Sequence, residues 1–130
     1  MTDAIQWRVV ACREAGTDGA SWSFYLINDS TSPIDAVLFQ VGFEWGDLGN
    51  SRDVDVGVKH LAPGSCALLW RDDGSGVEFR MDLRLRIQSQ RGEVDLMFEF
   101  PKLYRKTDPP LVDGLGKPGW VANATLLARS

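Results

Sequence analysis

His60 is the only histidine of this 130-residue chain, and it stands six residues before Cys66, one of two cysteines, in the stretch HLAPGSCALLW. A Cys–His nucleophile needs thiol and imidazole within hydrogen-bond reach, with a third group to orient the base. Here Pro63 and Gly64 intervene and spell a turn. Cys66 alternates with Leu68 and Trp70, which predicts a place in the core, where a thiol acts as a small hydrophobe. One histidine and two distant cysteines also fall short of the roughly four ligands of a zinc site. The expectation is a structural pair, with no catalytic residue, no cofactor site and no metal site.

The acidic loops are the second candidate. WGDLGNSRDVD supplies Asp47, Asn50, Asp53 and Asp55, and RDDGSG supplies Asp72 and Asp73. Oxygen ligands on loops suit calcium, but the spacing fits no EF-hand loop and lacks its closing bidentate glutamate. Asp and Asn also close their own backbone turns, and that is the reading preferred here.

The third candidate is a charged strand face. Arg80, Arg84 and Arg86 share one parity, near Asp95, Met97 and Glu99. Cross-strand ion pairs on a solvated sheet contribute under about 1 kcal/mol each. Arginine and methionine on a flat sheet also suit protein contacts. Trp7, Trp22 and Trp45 fall in phase with apolar alternation and are expected in the core. Trp120, in GKPGW, is expected outside the main fold, as a packing anchor more than a ligand platform. The candidate interaction surface is therefore Arg80, Arg84, Arg86, Asp95, Met97 and Trp120. No phosphate-binding glycine motif and no nucleophile elbow occurs. An acid–base enzyme would have to rest on carboxylates alone.

What must position these residues is a set of strands, because the dominant pattern has period two. IQWRVVAC, SWSFYLIN, DAVLFQVGFEW, DVDVGVKH, SCALLWR, EFRMDLRLRIQ and EVDLMFEF read as seven strands joined by turns rich in Gly, Pro, Asn, Asp and Ser. No helical repeat interrupts them before residue 100. The last two test the reading. With SQRG as the turn, Ile87 faces Val94, Leu85 faces Leu96, Leu83 faces Phe98 and Met81 faces Phe100, and a one-residue slip would destroy the pattern.

The chain changes character after Phe100. Residues 101–130 hold four of the six prolines and no sustained alternation. They are still apolar, with Leu103, Tyr104, Leu111, Val112, Trp120, Val121, Leu126 and Leu127. Their charge is inverted as well. Residues 1–100 carry 9 Lys+Arg against 16 Asp+Glu, and residues 101–130 carry 5 against 2. A basic arm beside an acidic body suits packing on its own sheets or on a neighbouring copy, as in a dimer. The organisation expected is a β-sandwich over 1–100 and an arm over 101–130.

The net charge of −4 argues against general nucleic-acid binding. No run approaches the length of a membrane helix, and the opening MTDAIQWRVV lacks the basic-then-apolar order of a signal peptide. The location expected is cytoplasmic. Two cysteines are too few for a disulfide framework.

Two stretches carry a resemblance. FYLINDSTSPIDAVLFQVGF (Phe24–Phe43) ends a strand in Asn, continues through a Ser/Thr-rich turn with Pro and begins an apolar strand. HLAPGSCALLW places Leu-x-Pro-Gly-Ser ahead of another. Both resemble turns of bacterial immunoglobulin-like and fibronectin-III-like interaction domains, over roughly residues 5–100. The resemblance implies an all-β, two-sheet antiparallel sandwich of about seven strands that binds other proteins, and it names no partner and no binding residue. The function expected is a non-catalytic protein-interaction module without cofactor. It would act on a protein partner or on itself through a sheet face, an edge strand or the arm. The alternatives are a calcium- or carbohydrate-binding module and, below that, a small hydrolase using loop carboxylates.

Overall fold

A computed structural model describes residues 5–13, 21–43, 54–72, 81–101 and 109–129. Each of the seven segments with period-two alternation is a strand: β1 (Trp7–Arg13), β2 (Trp22–Asn28), β3 (Ile34–Phe43), β4 (Val54–Leu61), β5 (Cys66–Asp72), β6 (Met81–Ser89) and β7 (Gly92–Phe100). The C-terminal segment adds β8 (Leu111–Val112), β9 (Lys117–Pro118), β10 (Trp120–Val121) and β11 (Asn123–Arg129). All pairings are antiparallel, and no helix occurs among the described residues.

Two main sheets result. The four-stranded sheet runs β10-β1-β2-β5 and the five-stranded sheet runs β11-β7-β6-β3-β4, while β8 and β9 form a small separate pair. The sheets share one core. Val9, Ala11, Trp22, Phe24 and Leu26 come from the first, and Val37, Leu83, Leu85, Ile87, Leu96, Phe98 and Phe100 from the second. Phe24 meets Phe100 edge-on across the layers, with ring centroids 5.4 Å apart. Burying each such side chain contributes about 1.5–3 kcal/mol, which is what holds the layers together.

The β6–β7 ladder has the register that the apolar pattern demands. Met81 pairs with Phe100, Leu83 with Phe98, Leu85 with Leu96 and Ile87 with Val94. All eight side chains are buried. Any slip by one residue would turn them toward water.

The segment after Phe100 is more ordered than an extended arm. Its β10 pairs with β1, its β11 pairs with β7, and Ala122 lies between them with its N–H bonded to Val9 O at 2.9 Å. One short stretch of chain thus crosses from one sheet to the other and closes that side of the molecule. Sequence alternation missed β11 because a bulge at Leu127 breaks its phase. Trp120 is likewise not outside the main fold. It packs against the shared core, with its ring 5.4 Å from that of Trp22.

Cys66 departs from the expected core position. A bulge in the β2–β5 ladder lets Trp70 pair with Phe24 and Leu68 with Tyr25, so the alternation changes phase at Leu69. Leu69 is buried and Ala67 packs on the core, while Cys66 and Leu68 are exposed. His60 is exposed with φ 56° and ends the regular course of β4. The turn that follows is the one the sequence spells. Ser65 N–H bonds Ala62 O at 3.1 Å, and Gly64 takes φ 77°, the combination of a type II turn with proline first and glycine second.

Candidate interaction surface

The ladders set the candidate residues in transverse rows on the outer face of the five-stranded sheet. One row runs Leu38, Arg86, Asp95, Ala128, and the next runs Arg84, Met97, Thr125. Alternation from the buried partners puts Arg84, Arg86, Asp95 and Met97 outward. Arg84 and Arg86 are exposed, and Leu38, Asp95 and Met97 are half-buried by their neighbours. Four of the six candidate residues therefore share one surface. Trp120 is in the other sheet, and Arg80 lies outside the described residues.

The charges on this face are partly paired. Arg86 Nε donates to Asp95 Oδ1 at 3.0 Å and lies 3.5 Å from Glu93 Oε1. Gln88 Nε2 donates to Glu93 Oε2 at 3.0 Å. These side chains are 27–44 % exposed, so solvent screens the pairs and each is worth little. Arg84 makes no ion pair with any described residue, and it stands beside Met97. The result is one available guanidinium, a flexible thioether and Leu38, ringed by mutually neutralised charges.

The outer face of the four-stranded sheet is built differently. Val10 and Cys12 of β1 and Ile27 of β2 are buried there under Val112, with Tyr25 and Leu115 at the margin. The cover is a strap, residues 109–119, containing the β8–β9 pair. Gly119 lets the strap lie close against β1. A Cβ there would fall 2.5 Å from Val10 Cγ1 and 3.0 Å from both Ala11 O and Cys12 Sγ. Lys117 Nζ donates to Tyr25 Oη at 3.0 Å. Arg8 forks onto Asp29, with Nη2 2.9 Å from Oδ1. Its guanidinium is held above its ordinary range, first by this hydrogen bond, against partial desolvation, and then by the charges of Asp29 and of Asp113 in the strap.

Sequence reasoning missed this covered face, although a signal was present. VVAC in β1 and FYLI in β2 are apolar at consecutive positions, the mark of strands buried on both sides. It also missed Thr125 and Ala128, which extend the rows of the open face.

Asn28 joins the two turns that carried the family resemblance. Its Nδ2 donates to Ser32 O and Leu61 O, both at 3.0 Å, and its Oδ1 accepts from Ser30 N–H at 3.0 Å and Ser30 Oγ at 2.6 Å. Its backbone N–H bonds Ser65 O, and its carbonyl accepts from Gly64 N–H. A buried amide so fully satisfied is architecture, with no donor or acceptor left for a ligand.

His60 and Cys66 are both exposed, and Cys66 is a free thiol. No group of three His, Cys, Asp or Glu able to hold a metal occurs among the described residues. Of the acidic-loop candidates, Asp47, Asn50, Asp53 and Asp73 lie outside them, as does Trp45. No protein-family model, curated protein or solved structure matches this chain.

Proposed function

We propose that the chain is a non-catalytic protein-interaction module of immunoglobulin-like design, and that it engages its partner through the open face of the five-stranded sheet. Strand order supports the design. With the C-terminal strands set aside, β1-β2-β5 opposes β7-β6-β3-β4. This corresponds to A-B-E against G-F-C-C′ of an immunoglobulin-like sandwich. The observation that carries the function is the row Arg84-Met97-Thr125 beside Leu38-Arg86-Asp95-Ala128. Arginine and methionine, residue types enriched at interfaces, stand together there, with Arg84 and Arg86 exposed and Met97 half-buried.

The test is affinity capture with the intact chain and with Arg84→Glu/Met97→Asp. Both chains should melt alike by circular dichroism, because the changed side chains face solvent. A protein retained by the first and lost by the second is the expected result. Equal retention by both chains, or no retained protein at all, removes the face from consideration.

A further inference from the structure

We infer that β11 is a self-pairing edge, through which two copies of this chain join their five-stranded sheets into one. The inference rests on the interaction-module reading and names a second copy as partner at a site distinct from the open face. Among the described residues β11 is the last strand of its sheet and pairs only with β7. An edge strand leaves a row of backbone donors and acceptors unpaired, and native proteins blunt such edges with charge, proline or distortion. β4, the opposite edge, has these devices: exposed Lys59, and His60 in the left-handed region. β11 carries its one charge, Arg129, at its very end, and from Asn123 to Ala128 it has no charge and no proline. Its only distortion, the bulge at Leu127, leaves Asn123–Leu126 regular.

The sequence of the strand is complementary to itself. Ala124 and Leu126 pair with the buried Phe98 and Leu96, so they lie on the inner side, and Thr125 lies on the outer side beside Met97. Laid antiparallel to its own copy about Thr125, the strand sets each Ala124 against the other copy's Leu126. Small then meets large on the inner side, and Thr125 meets Thr125 on the outer side, a favourable cross-strand pair. Leu126 and Leu127, 37 % and 39 % exposed in one copy, become covered at the seam. The uncharged stretch Asn123–Ala128 is also where two copies of a chain of net charge −4 approach with little repulsion. The symmetry is two-fold, so the contact closes as a dimer and does not propagate.

The experiment uses the purified full chain with exposed Cys66 replaced by Ser, leaving only the buried Cys12. Sedimentation between roughly 10 μM and 1 mM spans the range of a small, weak interface. The expected result is a monomer–dimer equilibrium whose association falls at least about tenfold in Thr125→Lys/Leu127→Lys, as edge lysines oppose pairing. In the same background, Thr125→Cys should form a disulfide-linked dimer under mild oxidation. Leu111→Cys, at a position 72 % exposed and away from β11, should not. A chain that stays monomeric, or a Thr125→Cys variant that cross-links no faster than the Leu111→Cys variant, overturns the self-pairing edge. Partner capture dependent on Arg84 and Met97 would survive that outcome, so the two readings fail separately.

Discussion

The two outer faces of this molecule start from the same strand alternation and end in opposite states. On the four-stranded sheet the outward positions Val10, Cys12, Ile27 and Tyr25 are apolar, and the strap of residues 109–119 covers them. On the five-stranded sheet the outward positions Arg84, Arg86, Asp95 and Met97 are polar or adaptable, and they are exposed or half-buried, with no counterpart of the strap among the described residues. The difference shows where the chain invests stability and where it leaves surface. An apolar outer face needs a lid to be soluble, and the chain supplies one from its own C-terminal segment. The ion pairs of the open face are solvated and add little to folding.

Removing residues 109–130 should have the largest effect. It strips the strap from one face and β10 and β11 from one side of both sheets. The truncated chain is expected to lose cooperative thermal unfolding, and a sharp two-state melt by circular dichroism would show that the strap and side strands are dispensable. Val112→Asp tests the covered face alone. Burying a carboxylate among Val10, Cys12 and Ile27 should cost about 3 kcal/mol or more in urea unfolding, and the thiol of Cys12 should become reactive to a disulfide reagent. Asn28→Ala should cost about 2–3 kcal/mol, because it leaves Leu61 O and Ser32 O without their donor and Ser30 without its acceptor. Gly119→Ala should cost about 1–3 kcal/mol through overpacking against Val10 and the Ala11 carbonyl.

The open face should respond weakly. A double-mutant cycle on Arg86→Ala and Asp95→Ala should give a coupling below about 1 kcal/mol, since both groups are solvated. Met97→Asp should change stability by no more than about 0.5 kcal/mol. A cost comparable to that of Val112→Asp would mean that the open face is covered after all, and the contrast between the faces would collapse.

Much of the fold was legible because alternation and turn chemistry are local. The seven segments with period-two patterning are β1 to β7, and the β6–β7 register followed from the requirement that Met81, Leu83, Leu85 and Ile87 share a face. The polar candidates Arg84, Arg86, Asp95 and Met97 were legible for the same reason. The misses have physical causes. Cys66 left the core because one extra residue in the β2–β5 ladder inverts the phase of β5. β11 was hidden by its own bulge at Leu127, and β10 is only two residues long, too short for any periodicity to register. Trp120 was expected outside because glycine and proline surround it, whereas contact with Trp22 draws it onto the core.

Sequence alone determined the class of structure: alternating apolar residues fix which side of each strand must leave water, and Gly, Pro, Asn and Asp fix where the chain turns. Only the tertiary structure decided what covers each face, because that depends on strands far apart in the chain. Val112 reaches Val10 across about a hundred residues, and β11 reaches β7 across a segment with no pattern of its own. Alternation states that a residue points outward, and the rest of the chain decides whether outward means solvent, a strap or a second molecule.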